Sequence, residues 1–586
     1  MSRRPLIDVA LGNVPADAVV LGGRVVNVLT REVYDAGVAI AAGRIAAVGD
    51  VEYARGEETL VVDADGRYVT PGLVDGHLHS YHSYLGVNAF VEAMLIHGVT
   101  TTTDAFYGQG IVGGKEAVRF FKQAFERQPL RVLFLVPVLA YLQNRELGLT
   151  PTAGISVAEM HELLDWDGCQ GLEEPPFIPI VEKWDEFLDL FEATLERGKT
   201  ITGHAAGIDW RQTQAYVAMG ASTEHEAVEV GDAIDKARAG LRLLMRQGSG
   251  AFDVPELVKA YTEHGIDPRR LGFCADLASP EKLIREGGVD ENVRVAIANG
   301  VPPPVAVQMA TVNVAEAFGV DRDLGAVAPG RHADLLLVDD LVSFAIDRVL
   351  VAGEVVVEQG ELAVALPPVE YPRSFYGTVG IERELTADDL RLRSGEPAVE
   401  VRVIGVTEGS LETDERRARL PVADGVVQAD LAADVLPLAM ADRFGKGTGV
   451  GVGFVQGFGL ERGAIASTVN AVCENLVAVG ADVGDMAIAM NHLAEIGGGK
   501  VVVADGEILA LAELPLLGLQ SEDSIAVVSE KFDRAFAAIA DLGCGLRNPF
   551  SQLEFCFACG EIGDIKLSDQ GLIRVNPPEF LEVICR

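Results

Sequence analysis

His77 and His79 flank a single leucine at the end of the apolar run YVTPGLVDG. On an extended strand, positions i and i+2 face the same side, so the two imidazoles converge on one point. Imidazole ligates Zn, Mn, Fe and Ni, and a divalent metal draws the pKa of a water toward neutrality. The chemistry within reach is metal-assisted hydrolysis. An H-x-H alone is a weak signal, but four later segments strengthen it. Glu173 and Glu174 follow CQGL, His204 ends TITGH, His225 ends GASTEH and Asp276 ends LGFCAD. Each places a ligand-type residue at the end of a β-like run, and the set takes four of only 10 histidines.

Such residues need a scaffold that gathers strand ends. Between about residues 70 and 325, β-rich runs (VTTTTDAF, RVLFLVPVL, RLGFCAD) alternate with amphipathic stretches (AVRFFKQAFER, WDEFLDLFEATLERG). That alternation predicts a parallel α/β barrel or a doubly wound sheet. In a barrel, the C-terminal strand ends form the mouth where active sites are built. Residues 1–65 and 332–362 share a short-strand texture, which predicts one small sheet domain completed from both sides of the inserted barrel. After about residue 390 a second α/β region begins, and Asp505-Gly506 between two apolar runs predicts a hairpin.

Bulk composition narrows the function classes. With 586 residues, 49% hydrophobic and 23% charged, the chain has material for several globular domains. A net charge of −39 argues against nucleic acid and anionic membrane surfaces as partners. The run from Val132 to Leu142 is too short to span a bilayer. Asp8 interrupts any signal-like segment after Arg3 and Arg4. Seven scattered cysteines suit free thiols in a reducing, cytoplasmic compartment; Cys556 and Cys559 are read as structural, for want of a second pair at zinc-ribbon spacing. GQGIVGGKEA misses the phosphate-loop register, and GKGTGVGVGF lacks a dinucleotide-binding context.

The stretch from Pro71 to His79, with Glu174, His204, His225 and Asp276, resembles the amidohydrolase superfamily. Over nearly its full length the chain resembles the adenine deaminases, through GHAAGIDWRQTQAYVAMGASTEHEA, LLMRQGSGAFDVPEL, GFVQGFGLERGAIASTV and LSDQGLI. The resemblance implies a (β/α)8 metal-dependent hydrolase barrel over 69–325, a β-sandwich from 1–68 and 326–390, and a C-terminal α/β domain over 391–586. It implies a divalent metal site, two ions per chain, with Mn or Fe as the metals and Zn as an option. Its ligands would be His77, His79, Glu174, His204, His225 and Asp276.

Asp276 is expected to shuttle the proton, with Glu174, then Glu173, as the further pocket acid. Tyr81, His82, Tyr107 and Arg246 are the candidate contacts for a small heterocyclic substrate, and a homo-oligomer is expected. The chain departs from the family around that pocket. Tyr81-His82-Ser83 stands where the family has Glu-Ser-Ser, and Asn470 through Asn475 lacks the family's histidines. Three functions therefore stay open: deamination of adenine or a related aminated heterocycle, hydrolysis of a cyclic amide or similar C–N bond, and a catalytically inactive binding paralogue.

Overall fold

Four consecutive threonines in VTTTTD, β-branched and all buried, favour a strand covered on both faces. They form β2 (Val99–Asp104) of a parallel set with β1 (Leu73–Asp75), β3 (Arg131–Pro137), β4 (Cys169–Glu173), β5 (Thr200–Ile201), β6 (Thr223–Glu224), β7 (Arg242–Arg246) and β8 (Leu271–Cys274). The computed structural model describes residues 3–138, 154–410, 412–446, 449–557, 562–575 and 577–585. β1 to β5 pair in order, as do β6 to β8, all parallel. A bridge between Ile201 and Ala221 joins the two sheets. The ring closes where Gly76 N–H donates to Phe273 C=O at 3.2 Å and Leu78 bridges Asp276. The expected eight-stranded barrel is present, with its helices outside. Gly203 is one place where only glycine fits: a Cβ there would stand 2.2 Å from the Thr223 carbonyl oxygen, where β5 and β6 converge beneath His204.

The flanking segments do build common sheets. Strand Tyr68–Pro71 pairs antiparallel with Leu335–Val338, placing Pro71 opposite Leu335. A seven-stranded sheet runs from Glu361–Leu362 through this seam to Glu32–Asp35, and a four-stranded sheet of N-terminal strands packs on it. Val20, Val25, Val69, Leu335 and Leu350 lie in the core between them. The strand Tyr68–Pro71 crosses the expected break at residue 68, and the sheet ends at Leu362 rather than continuing toward 390. Beyond it the chain runs along the barrel, where Tyr371 and Phe375 pack on Phe120 and Phe121.

The C-terminal region is a nine-stranded mixed sheet. The predicted hairpin is there, Gly499–Ala504 with Glu507–Glu513, turning at Asp505-Gly506 with both residues at positive φ. Helix Val483–Ile496 covers one face with Met486, Met490 and Leu493. Helix Ile525–Asp541 turns the other side toward the barrel, and Ile525, Val528 and Phe532 belong to one continuous core with the barrel residues. No helix among the described residues is long and apolar enough to cross a membrane. Cys556 is buried, as expected, and Cys559 lies outside the described residues.

Candidate metal centre and pocket

Every predicted ligand sits at the C-terminal end of a barrel strand. His77 and His79 follow β1, Glu173 ends β4 with Glu174 next, His204 follows β5, His225 follows β6 and Asp276 follows β8. All are buried. Glu174 and Asp276 hold positive φ, +34° and +61°, conformations that non-glycine residues adopt at a cost and that cluster at functional sites. Local bonds fix these bends. Glu174 N–H donates to Thr202 Oγ1 at 2.8 Å, Asp276 N–H to the His77 carbonyl at 2.8 Å, and His204 N–H to the Tyr216 hydroxyl at 2.8 Å.

Glu174 stands at the centre. Its Oε1 is 3.2 Å from His79 Nε2, and its Oε2 is 3.5, 3.4 and 3.3 Å from His77 Nε2, His204 Nδ1 and His225 Nε2. Asp276 Oδ1 is 3.5 Å from His77 Nε2 and 3.6 Å from His79 Nε2. Glu173 lies farther out, 3.9 Å from His79 Nδ1. Ligands held at about 2.0–2.2 Å from one ion are separated by distances of this size. Three sets have the proximity a metal requires: His77 with His225 and Asp276, His77 with His79 and Glu174, and Glu174 with His204 and His225. His77 Nε2, both ring nitrogens of His204, and Glu174 Oε1 are buried without a hydrogen-bond partner, which suits lone pairs kept for a cation. The six residues therefore fit a divalent metal.

The electrostatics differ between neighbours. Burial takes His77 down to about 4, leaving a neutral imidazole with a lone pair to give. Burial works the other way on Asp276, but the His77 ring beside it, with His225 and Arg246, holds it at about 2. Burial pushes Glu173 well above the carboxylate range. Asp104, at the end of β2, accepts from the Phe106 and Ser80 amides and shapes the turn into the pocket rather than joining the cluster.

Above the cluster lies a small cleft, lined by barrel residues below and by residues of the C-terminal domain above. Tyr81, His82 and Tyr107 line it, and the Tyr107 ring stacks on His79 at 5.3 Å. Arg246 does not line it. Its Nη1 is 2.9 Å from Glu226 and its Nε 2.9 Å from Asp253, so it sits behind the wall as an ion-pair partner.

Two groups were invisible to the sequence reading. Glu226, 3.1 Å from His225 Nε2, lines the cavity; strand alternation would turn it away from its neighbour. The Glu224 carboxylate accepts from the Glu226 and Ala227 amides, bends the chain just past β6 and brings Glu226 inward. The other group is the roof, Ala471, Val472, Phe555 and Ile562, all from the C-terminal domain. Val472 holds φ +78°, a strained value for a β-branched residue.

Comparison with known proteins agrees with this architecture. The profile described as "Amidohydrolase family" matches residues 68–356, and that described as "Adenine deaminase C-terminal domain" matches residues 410–579. "Adenine deaminase 3" of Rhizobium meliloti (strain 1021) is 40% identical over 99% of this chain and 98% of its own length. "Adenine deaminase" of Moorella thermoacetica is 38% identical over 99% of this chain and 98% of its own. Among solved structures, enamidase, described as a member of the amidohydrolase superfamily, aligns at 19% identity with a TM-score of 0.46 over 60% of this chain and 99% of that one.

Proposed function

This chain belongs to the adenine deaminase family of the amidohydrolase superfamily, and from that premise we propose that it hydrolyses adenine to hypoxanthine and ammonia. It is a hydrolase acting on C–N bonds, and its family implies a divalent metal. The observation that carries the reading is the convergence of six strand-end ligand residues beneath a cleft lined by Tyr81, His82 and Tyr107.

His77, His79, Glu174, His204, His225 and Asp276 would hold the metal, and family resemblance is what supports two ions, Mn or Fe before Zn. When bound, the metal supplies Lewis acidity that makes hydroxide available near neutral pH. Asp276, ionised, takes a proton at its carboxylate from the water that adds to C6 of the purine. The same carboxyl returns that proton to the departing amino nitrogen, so one water enters and one ammonia leaves. The central place of Glu174 favours it as ligand, with Glu173 as the second acid. Tyr107 offers a ring face to a planar base, and Tyr81 and His82 offer polar edges.

The net charge of −39 supports a small-molecule partner over nucleic acid or an anionic membrane. Cys169, Cys274, Cys544 and Cys585 are free thiols, in keeping with the cytoplasm. A homo-oligomer is part of the same reading, carried by family resemblance alone. The test is ammonia release by metal-loaded protein over adenine, other aminopurines, pterins and cyclic amides, with bound metal analysed in parallel. Adenine should be the fastest substrate. Turnover confined to a cyclic amide would replace the reading with the second hydrolase, and a protein that takes up no Mn, Fe or Zn would leave an inactive binding paralogue.

A further inference from the structure

His82 faces the cavity with one side of its ring and the C-terminal domain with the other. Its Nδ1 lies 3.4 Å from Glu554 Oε2, and both atoms are buried with no hydrogen-bond partner elsewhere among the described residues. Glu554 is itself ion-paired to Lys500, and both side chains are fully buried. The Tyr84 hydroxyl completes the group, 2.9 Å from Lys500 Nζ and 3.1 Å from Glu554 Oε1. A buried charge pair is a poor way to gain stability, since desolvation cancels much of the attraction. What the pair does secure is an ionised acceptor held against one nitrogen of one imidazole. Lys500, paired with Glu554, holds that carboxylate beside Nδ1 of His82.

A neutral imidazole has one N–H and one lone pair, and its partner decides which nitrogen carries which. We propose that Glu554, oriented by Lys500, fixes the His82 proton on Nδ1, so that Nε2 is an acceptor that reads a ring N–H of the heterocyclic substrate. The rings of His82 and His79 are 6.1 Å apart, so His82 borders the place where a heterocycle would bring its reacting carbon to the cluster. The substrate class is then an aminated heterocycle with a free ring N–H, not its N-substituted derivatives. Glu554 and Lys500 are positioning residues; His82 is the substrate contact. The inference deepens the adenine-deaminating reading and rests on it.

The test compares adenine with 9-methyladenine, which has no ring N–H, on the metal-loaded full chain. Wild type should favour adenine in KM by about tenfold or more, the cost of leaving a buried acceptor unpaired. Steric rejection of the methyl group would give the same preference, so two double variants that leave His82 in place separate the causes. In Glu554→Leu with Lys500→Met, the Nδ1–H has no acceptor. KM for adenine should rise about tenfold, the preference should collapse toward parity, and kcat should change less than about threefold. In Glu554→Gln with Lys500→Met, the amide oxygen can accept from Nδ1–H and the preference should return. A preference equal in both double variants, or absent from wild type, overturns the inference while adenine turnover stands. No ammonia from adenine in wild type overturns the functional reading itself.

Discussion

The floor and the roof of the cavity are built in opposite ways. The floor comes from five strand ends of one barrel, and its ligands lie within one continuous run of the chain, His77 to Asp276. The roof comes from a domain whose loops arrive hundreds of residues later, with Val472 and Phe555 closing over His79 and Tyr107. In the proposed function the floor carries the reacting groups and the roof shapes what they meet. Conservative chemistry below is therefore compatible with change in the pocket above.

That contrast can be broken by substitution. On the floor, Asp276→Ala should lower kcat by about 10³-fold or more in a folded protein, because it removes the proton carrier together with a ligand. His204→Asn should do likewise and reduce bound metal; steady-state assays with metal analysis and a thermal melt check both. One layer out, Glu226→Gln leaves Arg246 with Asp253 as its nearest remaining acid partner. An expected loss in kcat of about 10–100-fold, the usual effect of disturbing a ligand's own partner, would rank it between ligand and wall. On the roof, Val472→Gly relieves a strained φ of +78° worth about 1–3 kcal/mol but gives up buried packing and adds chain entropy. The melting temperature should move little, KM should rise several-fold and kcat should hold. If Val472→Gly cost as much in kcat as Asp276→Ala, the division between floor and roof would be lost.

The same division marks how far the sequence could be read. Strand ends were legible because a short β-like run stops at a ligand-type residue; His77, His204, His225 and Asp276 are all found this way. The choice between Glu173 and Glu174 was not legible, because it turns on the φ of +34° that swings Glu174 into the cluster. Glu226 was hidden by the alternation rule, which fails where Glu224 bends the chain. Arg246 read as a pocket residue from its position, yet its charge is spent on acids that no local pattern connects to it. The meeting of Glu554 with His82, 472 positions apart, depends on how two domains dock, and no periodicity records that.

The seam between Tyr68–Pro71 and Leu335–Val338 has a consequence for inheritance. Because the chain enters and leaves the barrel through two hydrogen-bonded neighbours, the barrel hangs from one sheet as a closed loop. A lineage could exchange the whole loop, or lengthen any turn within it, without moving either stem. The roof has no such stem, since its core is fused with that of the barrel. New substrates for this architecture would then arise by rewriting the lid in place, residue by residue, rather than by trading it whole.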